Sequence, residues 1–309
     1  MERVITVARV IVPIFAAIFL GYIARRKQLM TAEENRGLQQ FVMKFGLPCV
    51  VFNSCLTANM GVESLSSMAL TLPVVVGGTF WAFWARKKKY PYFNLPQLFC
   101  AQETGMLGIP LTMILFGVDQ AYRMGVLDLT QAVTAYPVIA LLSSGAETDI
   151  RVGQLVKKIL TSPLLVMSML GLALNLSGIG RWMDAVGIGG ILTDSTGFLG
   201  QPISAMMIFS VGYNFSLDKD CRKDIMQISA IHFGYYALGG LLVQLALCLI
   251  PGIDLVTRIV LLMYFTLPAS YLAPSLGRTQ KDNRMASGVC SVLTVASLTI
   301  FCVIAAFVA

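Results

Sequence analysis

Long apolar runs dominate the chain, and short polar segments separate them at fairly regular intervals. A run of roughly 20 apolar residues is the length that an α-helix needs to cross the ~30 Å hydrocarbon core of a bilayer. The pattern therefore predicts an all-α polytopic membrane protein with about ten transmembrane helices. We number these predicted segments one to ten in chain order, near residues 8–24, 38–56, 66–85, 93–117, 124–143, 160–178, 191–213, 226–250, 257–277 and 286–308.

A polar stretch, "GAETDIRVGQLVKK", divides the ten segments into two sets of five. We predict a first five-helix repeat over residues 1–145, a cytoplasmic linker over 146–159 and a second repeat over 160–309. Because five is odd, the second set enters the membrane from the opposite side. Segments two and seven each carry a proline, Pro48 or Pro202, before an apolar run. Two inverted repeats of this kind are typical of secondary transporters.

The positions of the basic residues predict the orientation. The alternate loops at 25–36, 86–92, 146–158, 214–224 and 278–284 hold 17 of the 23 lysine and arginine residues. Since basic loops stay on the cytoplasmic side, both termini should lie outside a cell membrane. The net charge of +7 therefore reflects basic loops that fix the orientation of the protein in the lipid bilayer. We expect no nucleic acid partner.

The overall composition agrees with a membrane protein and excludes several kinds of chemistry. Only 13% of the residues are charged, against about 25% in soluble domains, and the mean hydropathy is +0.74. The seven cysteines are scattered without CxxC spacing, and His232 is the single histidine. No metal site, cofactor or catalytic constellation is therefore expected, and the chain is not predicted to be an enzyme.

Segment four contains residues that are costly inside a membrane helix. Its stretch "AQETGMLGIPL" holds Glu103, Gly105, Gly108 and Pro110. A proline in a helix interior costs about 3 kcal/mol and a glycine about 1 kcal/mol, while an acidic residue at the bilayer centre adds roughly 2.5–3.5 kcal/mol. One such proline alone would indicate an ordinary kink.

Segment nine, the counterpart of segment four in the second repeat, is also interrupted by prolines. Its stretch "TLPASYLAP" carries Pro268 and Pro274. We therefore predict that helices four and nine are both broken, near residues 105–110 and 268–274, and that they cross at their prolines. Broken helices are tolerated at membrane depth only inside protein or beside a cavity.

Such a crossing offers binding groups without a cofactor. The start of a half-helix presents N–H groups and a partial positive charge to an anion, while its end presents carbonyl groups to a cation. We predict a small organic anion as the substrate. The predicted substrate-binding residues line the two breaks and neighbouring helices: Asn53, Thr104, Gly105, Gly108, Ile109, Pro110, Gln131, Pro268, Tyr271 and Pro274.

Two carboxylates lie well inside predicted segments, Glu103 in segment four and Asp128 in segment five. Since removal from water favours a protonated carboxyl group, either one is a candidate for proton or ion coupling. The alternative is a permanently protonated acid that only bonds a neighbouring helix. Gln131 lies one turn after Asp128, on the same helix face.

The ordered set of motifs resembles the auxin efflux carrier family, which includes plant PIN carriers and bacterial malate- or malonate-type permeases. The motifs are "PIFAAIFLGYIARRKQLM", "QQFVMKFGLPCVVFNSCL", "TGMLGIPLTMILFG", "SPLLVMSMLGLALNLSGI" and "LPASYLAP". The resemblance implies two inverted five-helix repeats, helices that cross at Pro110 and Pro274 with Pro268 close by, and elevator-like movement of the crossing helices.

Glu103 departs from the pattern of this family, which often has asparagine before the threonine of the break. The sequence therefore predicts a permease or efflux carrier of an organic anion such as a carboxylate, with proton coupling through Glu103. A sodium-coupled symporter and a ligand sensor that does not transport remain alternatives on the same fold. Small-residue helix faces also permit a homodimer.

Overall fold

The computed structural model describes residues 2–57, 61–143, 161, 163–200, 202–215 and 221–308. This part of the chain is helical and contains no β-strand longer than one bridged residue pair. The all-α prediction is therefore confirmed. The predicted linker at 146–159 and the repeat boundary lie outside the described residues.

Fourteen α-helices are defined in the described residues, and we number them in chain order. They are α1 Glu2–Arg26, α2 Ala32–Phe41, α3 Leu47–Thr57, α4 Val62–Lys88, α5 Leu95–Cys100, α6 Ile109–Phe116, α7 Ala121–Ser143, α8 Pro163–Leu176, α9 Ile179–Ala185, α10 Ile188–Gly200, α11 Ile203–Asn214, α12 Arg222–Leu247, α13 Leu255–Thr266 and α14 Gln280–Val308. Short π-helical turns join α2 to α3 at Val42–Gly46 and lead into α6 at Thr104–Gly108.

Three of these helices are long and apolar enough to cross a membrane unaided: α4, α12 and α14. Shorter apolar helices cover Thr104–Phe116, Val166–Leu176 and Leu255–Thr266. Several predicted segments are built from two shorter pieces, since segment two contains a π-helical turn and segment seven is divided into α10 and α11. The figure of about ten spans stays a prediction.

Segments four and nine are both interrupted, and the first interruption lies earlier than predicted. Residues 101–103, between α5 and the π-helical turn, have non-helical backbone, and we call them the first interruption. Pro110 instead lies in helical backbone, because the π-helical turn Thr104–Gly108 runs directly into α6, so the helix is not interrupted at this proline. The second interruption, residues 267–272, separates α13 from the 3₁₀ turn Ala273–Leu276.

Helix α1 crosses α11 in direct backbone contact, and glycine makes this possible. A Cβ atom on Gly21 would lie 2.0 Å from the Phe209 carbonyl oxygen, and one on Gly212 would lie 2.0 Å from the Ile18 carbonyl oxygen. No side chain fits at either position. The two helices therefore pack at the closest distance that helix backbones permit.

Helices α8 and α3 cross with the same arrangement of contacts. A Cβ atom on Gly171 would lie 2.5 Å from the Phe52 carbonyl oxygen and 3.3 Å from the Leu56 nitrogen. At the α1–α11 crossing, Gly21 faces the Phe209 carbonyl and the nitrogen of the residue four positions later in the same way. Each crossing thus joins predicted segment one or six to the second segment of the opposite set.

Contacts at the helix ends fall into two groups that match the predicted alternation of loops. At one end Arg123 pairs with Glu63 at 3.1 Å and with Asp254 at 2.8 Å, which joins the starts of α4, α7 and α13. At the basic end, Asp282 at the start of α14 accepts from the backbone N–H of Phe93 at 3.0 Å. Loops predicted on the same side of the membrane therefore meet, and the side that faces the cytoplasm stays a prediction.

We predict that Gly212→Ala destabilises the protein and that Gly234→Ala does not. The methyl group at position 212 overlaps the α1 backbone, and overpacking costs about 1–3 kcal/mol. Gly234 has open space around its Cα, and alanine there favours the helix. Thermal melting of the purified protein measures both changes, and an unchanged melting temperature for Gly212→Ala would contradict the close crossing.

We also predict an acid-sensitive contribution from Asp254, which caps α13 in the polar end region. Partial burial raises its pKa, but hydrogen bonds from Thr257 and the Arg123 guanidinium outweigh this and hold the pKa below 3.8. The ionised Asp254 therefore stabilises the fold when the pH is above the pKa of the unfolded state. This stabilisation is lost as the pH falls through the lowered pKa of the folded state. Asp254→Asn, which keeps a capping residue, should therefore lower the melting temperature at neutral pH.

The difference between Asp254→Asn and the wild type should disappear in acid, because both residues are then neutral. The exposed Asp119, which makes no hydrogen bond with the described residues, supplies the matched control Asp119→Asn. A melting difference for Asp254→Asn that persists at low pH would show that the loss is not electrostatic.

Candidate functional site

The two interruptions lie side by side and pair through their backbones. Gln102 and Ala269 form an antiparallel bridge. The Glu103 N–H donates to the Pro268 carbonyl at 2.8 Å, and the Ser270 N–H donates to the Ala101 carbonyl at 3.1 Å. The non-helical backbone of segment four therefore finds its partners in segment nine, and the two segments cross where each one is broken.

Side chains from neighbouring helices satisfy the carbonyl groups at the end of α5. The Phe99 carbonyl accepts from the Tyr236 hydroxyl at 2.6 Å, and the Cys100 carbonyl accepts from the Thr134 hydroxyl at 2.9 Å. These groups would otherwise lack an intrahelical partner. Helices α12 and α7 thus hold the end of α5 in place.

A cysteine side chain lies against two carbonyl groups of the second interruption. The Cys290 thiol on α14 lies 3.6 Å from the Ala269 carbonyl oxygen and 3.7 Å from that of Ser270. A thiol is a weak donor, so these contacts add little energy. They nevertheless place α14 directly against the second interruption.

Gln131 on α7 pairs with the backbone of Gln102 as an adjacent strand would. The Gln102 N–H donates to Gln131 Oε1 at 2.8 Å, and Gln131 Nε2 donates to the Gln102 carbonyl at 2.9 Å. The Tyr264 hydroxyl on α13 also donates to Gln131 Oε1 at 3.0 Å. One side-chain amide therefore ties α7 and α13 to the first interruption.

Both carboxylate oxygens of Glu103 accept backbone N–H groups. Glu103 Oε1 accepts from Met106 at 3.1 Å and caps the helix that starts at Thr104. Glu103 Oε2 accepts from Tyr271 at 2.6 Å, on the other broken segment. The side chain is 7% exposed. Glu103 therefore bridges the two interruptions.

Asp128 is held by one oxygen only. Asp128 Oδ1 accepts from the Thr104 hydroxyl and, at 3.1 Å, from Gln131 Nε2. Asp128 is intermediate in exposure. Neither Asp128 nor Glu103 makes an ion pair with a described residue.

The predicted residues of the second break occupy different parts of it. The Pro268 carbonyl accepts from Glu103 and is part of the crossing. Tyr271 adds a hydroxyl that bonds Thr294 on α14 at 2.6 Å. Pro274 lies in the 3₁₀ turn beyond the paired residues and is half-buried.

The other predicted residues of segment four are buried against helices. A Cβ atom on Gly105 would lie 3.4 Å from the Met43 sulfur, and one on Gly108 would lie 2.8 Å from Leu267. Ile109 and Pro110 are buried in the first turn of α6. These four positions therefore pack around the crossing.

Asn53 is not brought to the crossing by the fold. Its amide nitrogen donates to the Thr193 carbonyl at 3.1 Å, and its oxygen accepts from the Thr196 hydroxyl at 2.6 Å. Asn53 therefore links α3 to α10.

Four further residues complete the site, although they were not predicted from the sequence: Gln102, Tyr236, Tyr264 and Cys290. Gln102 was detectable as a second polar residue next to Glu103 inside an apolar run. The other three are ordinary residues for membrane helices, and only the fold brings them to the crossing. Among the described residues, no three His, Cys, Asp or Glu side chains cluster as a metal site would require.

Two comparisons relate the chain to known proteins. A family model described as membrane transport protein matches residues 6–308. An uncharacterized transporter of Methanothermobacter thermautotrophicus is 24% identical over 234 residues, which cover 72% of this chain and 72% of that protein. The apolar helices agree with a membrane-embedded protein. The chain therefore belongs to the membrane transport protein family, as its resemblance to the auxin efflux carriers had indicated.

Proposed function

We propose that this protein is a secondary transporter of a small organic anion such as a carboxylate, which it binds at the crossing of segments four and nine. The observation that carries the proposal is the backbone pairing of two interrupted helices, Gln102 with Ala269. Many transporters form their binding site from discontinuous helices that meet in this way. Membership of a membrane transport family supports the same conclusion.

The crossing supplies hydrogen-bond donors suited to a carboxylate. The helix that begins at Thr104 directs its first N–H groups toward the interruption, where its dipole favours negative charge. The Thr104 hydroxyl, the Gln131 amide and the Tyr271 hydroxyl add donors nearby. Since each of them now bonds a protein acceptor, substrate binding would exchange one of these acceptors for a substrate oxygen.

Alternating access by two inverted repeats fits the helix packing. The α1–α11 and α8–α3 crossings use glycine and backbone carbonyls in the same arrangement, as expected if an inverted repeat relates them. We propose that the two repeats together form a scaffold part and a transport part, and that the crossing helices move relative to the scaffold in an elevator-like manner. Both termini would face the outside of the cell membrane.

Proton coupling is the form of energy input that we favour. Two acidic side chains, Glu103 and Asp128, lie at the crossing, and neither pairs with a cation among the described residues. Binding of an anion there is therefore easier when a proton enters with it. A sodium-coupled symporter is the second candidate, because carbonyl groups at helix ends also suit sodium.

We predict that the purified protein in liposomes takes up labelled mono- or dicarboxylates faster when the outside is acidic. A proton that accompanies the anion lowers the electrostatic cost of binding. Imposed pH and sodium gradients, tested separately, measure which ion drives uptake. Protein-free liposomes under the same gradients provide the control.

Stimulation by a sodium gradient alone would favour the sodium symporter. Saturable binding of a carboxylate without any flux under either gradient would contradict transport. That outcome would indicate a ligand sensor on the same fold.

We predict that Gln131→Leu impairs both stability and uptake. The change leaves the N–H and the carbonyl of Gln102 without this partner, at about 1–3 kcal/mol for each buried group. Because 1.4 kcal/mol corresponds to tenfold in an equilibrium constant, uptake should fall by roughly tenfold or more. The exposed Gln40 on α2 supplies the control Gln40→Leu, and equal uptake by the two variants would contradict a role of Gln131 at the crossing.

A further inference from the structure

We infer that the two carboxylates at the crossing have separate roles, with Glu103 as a fixed clamp between the broken segments and Asp128 as the group that takes up and releases the proton. This inference rests on the proposed transport function and deepens it. It reverses the expectation from sequence, which favoured Glu103 for coupling because of its position before Thr104.

The contacts of Glu103 suit an ionised carboxylate that stays ionised. Its two oxygens accept one backbone N–H each, from Met106 at 3.1 Å and from Tyr271 at 2.6 Å. Hydrogen bonds donated to a carboxyl group favour its charged form, and neither of these backbone N–H groups can accept a bond from a proton on Glu103. An amide side chain has the same difficulty, because only one of its two ends can accept. The pair of contacts therefore favours a charged carboxylate.

The contacts of Asp128 leave room for a proton. Only Oδ1 is engaged, by the Thr104 hydroxyl and by Gln131 Nε2, and Oδ2 makes no hydrogen bond with the described residues. Asp128 is also more exposed than Glu103. A proton can thus reach and leave Oδ2 while every existing bond to Oδ1 is kept.

Protonation of Asp128 would change the hydrogen bonds that Gln131 makes to the first interruption. Gln131 Nε2 lies within hydrogen-bond distance of three acceptors, namely the Gln102 carbonyl at 2.9 Å, Thr104 Oγ1 at 2.9 Å and Asp128 Oδ1 at 3.1 Å. An amide nitrogen carries only two protons. When Asp128 loses its charge, Oδ1 competes less well, and both protons are available to Gln102 and Thr104.

The charged and titratable groups around Asp128 support a proton as the exchanged species. Glu103 from the first interruption and the Tyr264 hydroxyl from α13 are close enough to interact with it electrostatically. The one arginine on α7, Arg123, is engaged by Glu63 and Asp254. Two ionised carboxylates without a neighbouring cation oppose the entry of an anion. A proton on Asp128 removes one of the two charges while the clamp remains.

The test is infrared difference spectroscopy of the full-length protein in lipid vesicles, between acidic and neutral pH, which needs no substrate. We expect a carbonyl band from a protonated carboxyl group shielded from water. The band should be lost in Asp128→Asn, kept in Glu103→Gln and shifted but present in Asp128→Glu. Loss of the band in Glu103→Gln with its retention in Asp128→Asn would overturn the inference.

Transport supplies a second readout in the same vesicles. Asp128→Asn should lose the stimulation of carboxylate uptake by an inward proton gradient, whereas Glu103→Gln should lose uptake both with and without the gradient. Continued stimulation of Asp128→Asn by the gradient would overturn the inference. If Glu103→Gln fails to fold, the band in Asp128→Asn and Asp128→Glu decides: loss and return support the inference, and persistence in Asp128→Asn overturns it.

Failure of the proposed function gives a different result from failure of this inference. If the wild-type protein moves none of the labelled acids, the proposed function fails for that class of substrate. The infrared assignment to Asp128 or Glu103 is still made on the wild type and its variants.

Discussion

A membrane helix that is interrupted must find partners inside the protein for the backbone groups it exposes, and this requirement organises the centre of the molecule. Water is scarce at that depth, so each unsatisfied N–H or carbonyl would cost several kcal/mol. The two interruptions meet this need by pairing with each other across the Gln102–Ala269 bridge. Other backbone groups near the interruptions bond Gln131, Thr134 and further side chains of the surrounding helices. A site made of backbone groups is therefore also a junction of α7, α12, α13 and α14.

The same requirement explains why an acidic residue is tolerated in segment four. Glu103 is buried, yet it accepts two N–H groups that would otherwise lack partners. Hydrogen bonds to a charged acceptor are stronger than those between neutral groups, which offsets part of the cost of burial. Asp128 lies close by, with one oxygen bonded through Thr104 and Gln131. Two acids with such different contacts need not behave alike, although both looked equivalent as carboxylates inside apolar runs.

Around this junction, two helix pairs lie in direct backbone contact. At the α1–α11 crossing, carbonyl oxygens lie where the glycine side chains would be, so the two helices cannot slide without breaking close contact. The α8–α3 crossing is built in the same way. Large aromatic side chains fill the core, among them Tyr236 and Tyr264, and their hydroxyl groups reach the site. Tyr236 and Tyr264 thus contribute both to the packing of the core and to the hydrogen bonds of the site.

The sequence alone predicted the helical class, the membrane setting and the two segments that break, because apolar run length and the cost of proline, glycine and charge act locally along the chain. The family was indicated by the resemblance of the ordered motifs. The sequence also indicated Glu103, Asp128 and Gln131 as polar residues within apolar segments, where a specific structural or functional role is expected. The position of the interruption in segment four became clear from the tertiary structure, because the helix continues through Pro110 and the non-helical backbone lies before it, at residues 101–103. Helix packing also joins Asn53 of α3 to α10 and brings Gln102, Tyr264 and Cys290 to the crossing. These contacts join residues far apart in the chain, and hydrogen-bond partners of that kind are set by how helices pack, which no local pattern specifies.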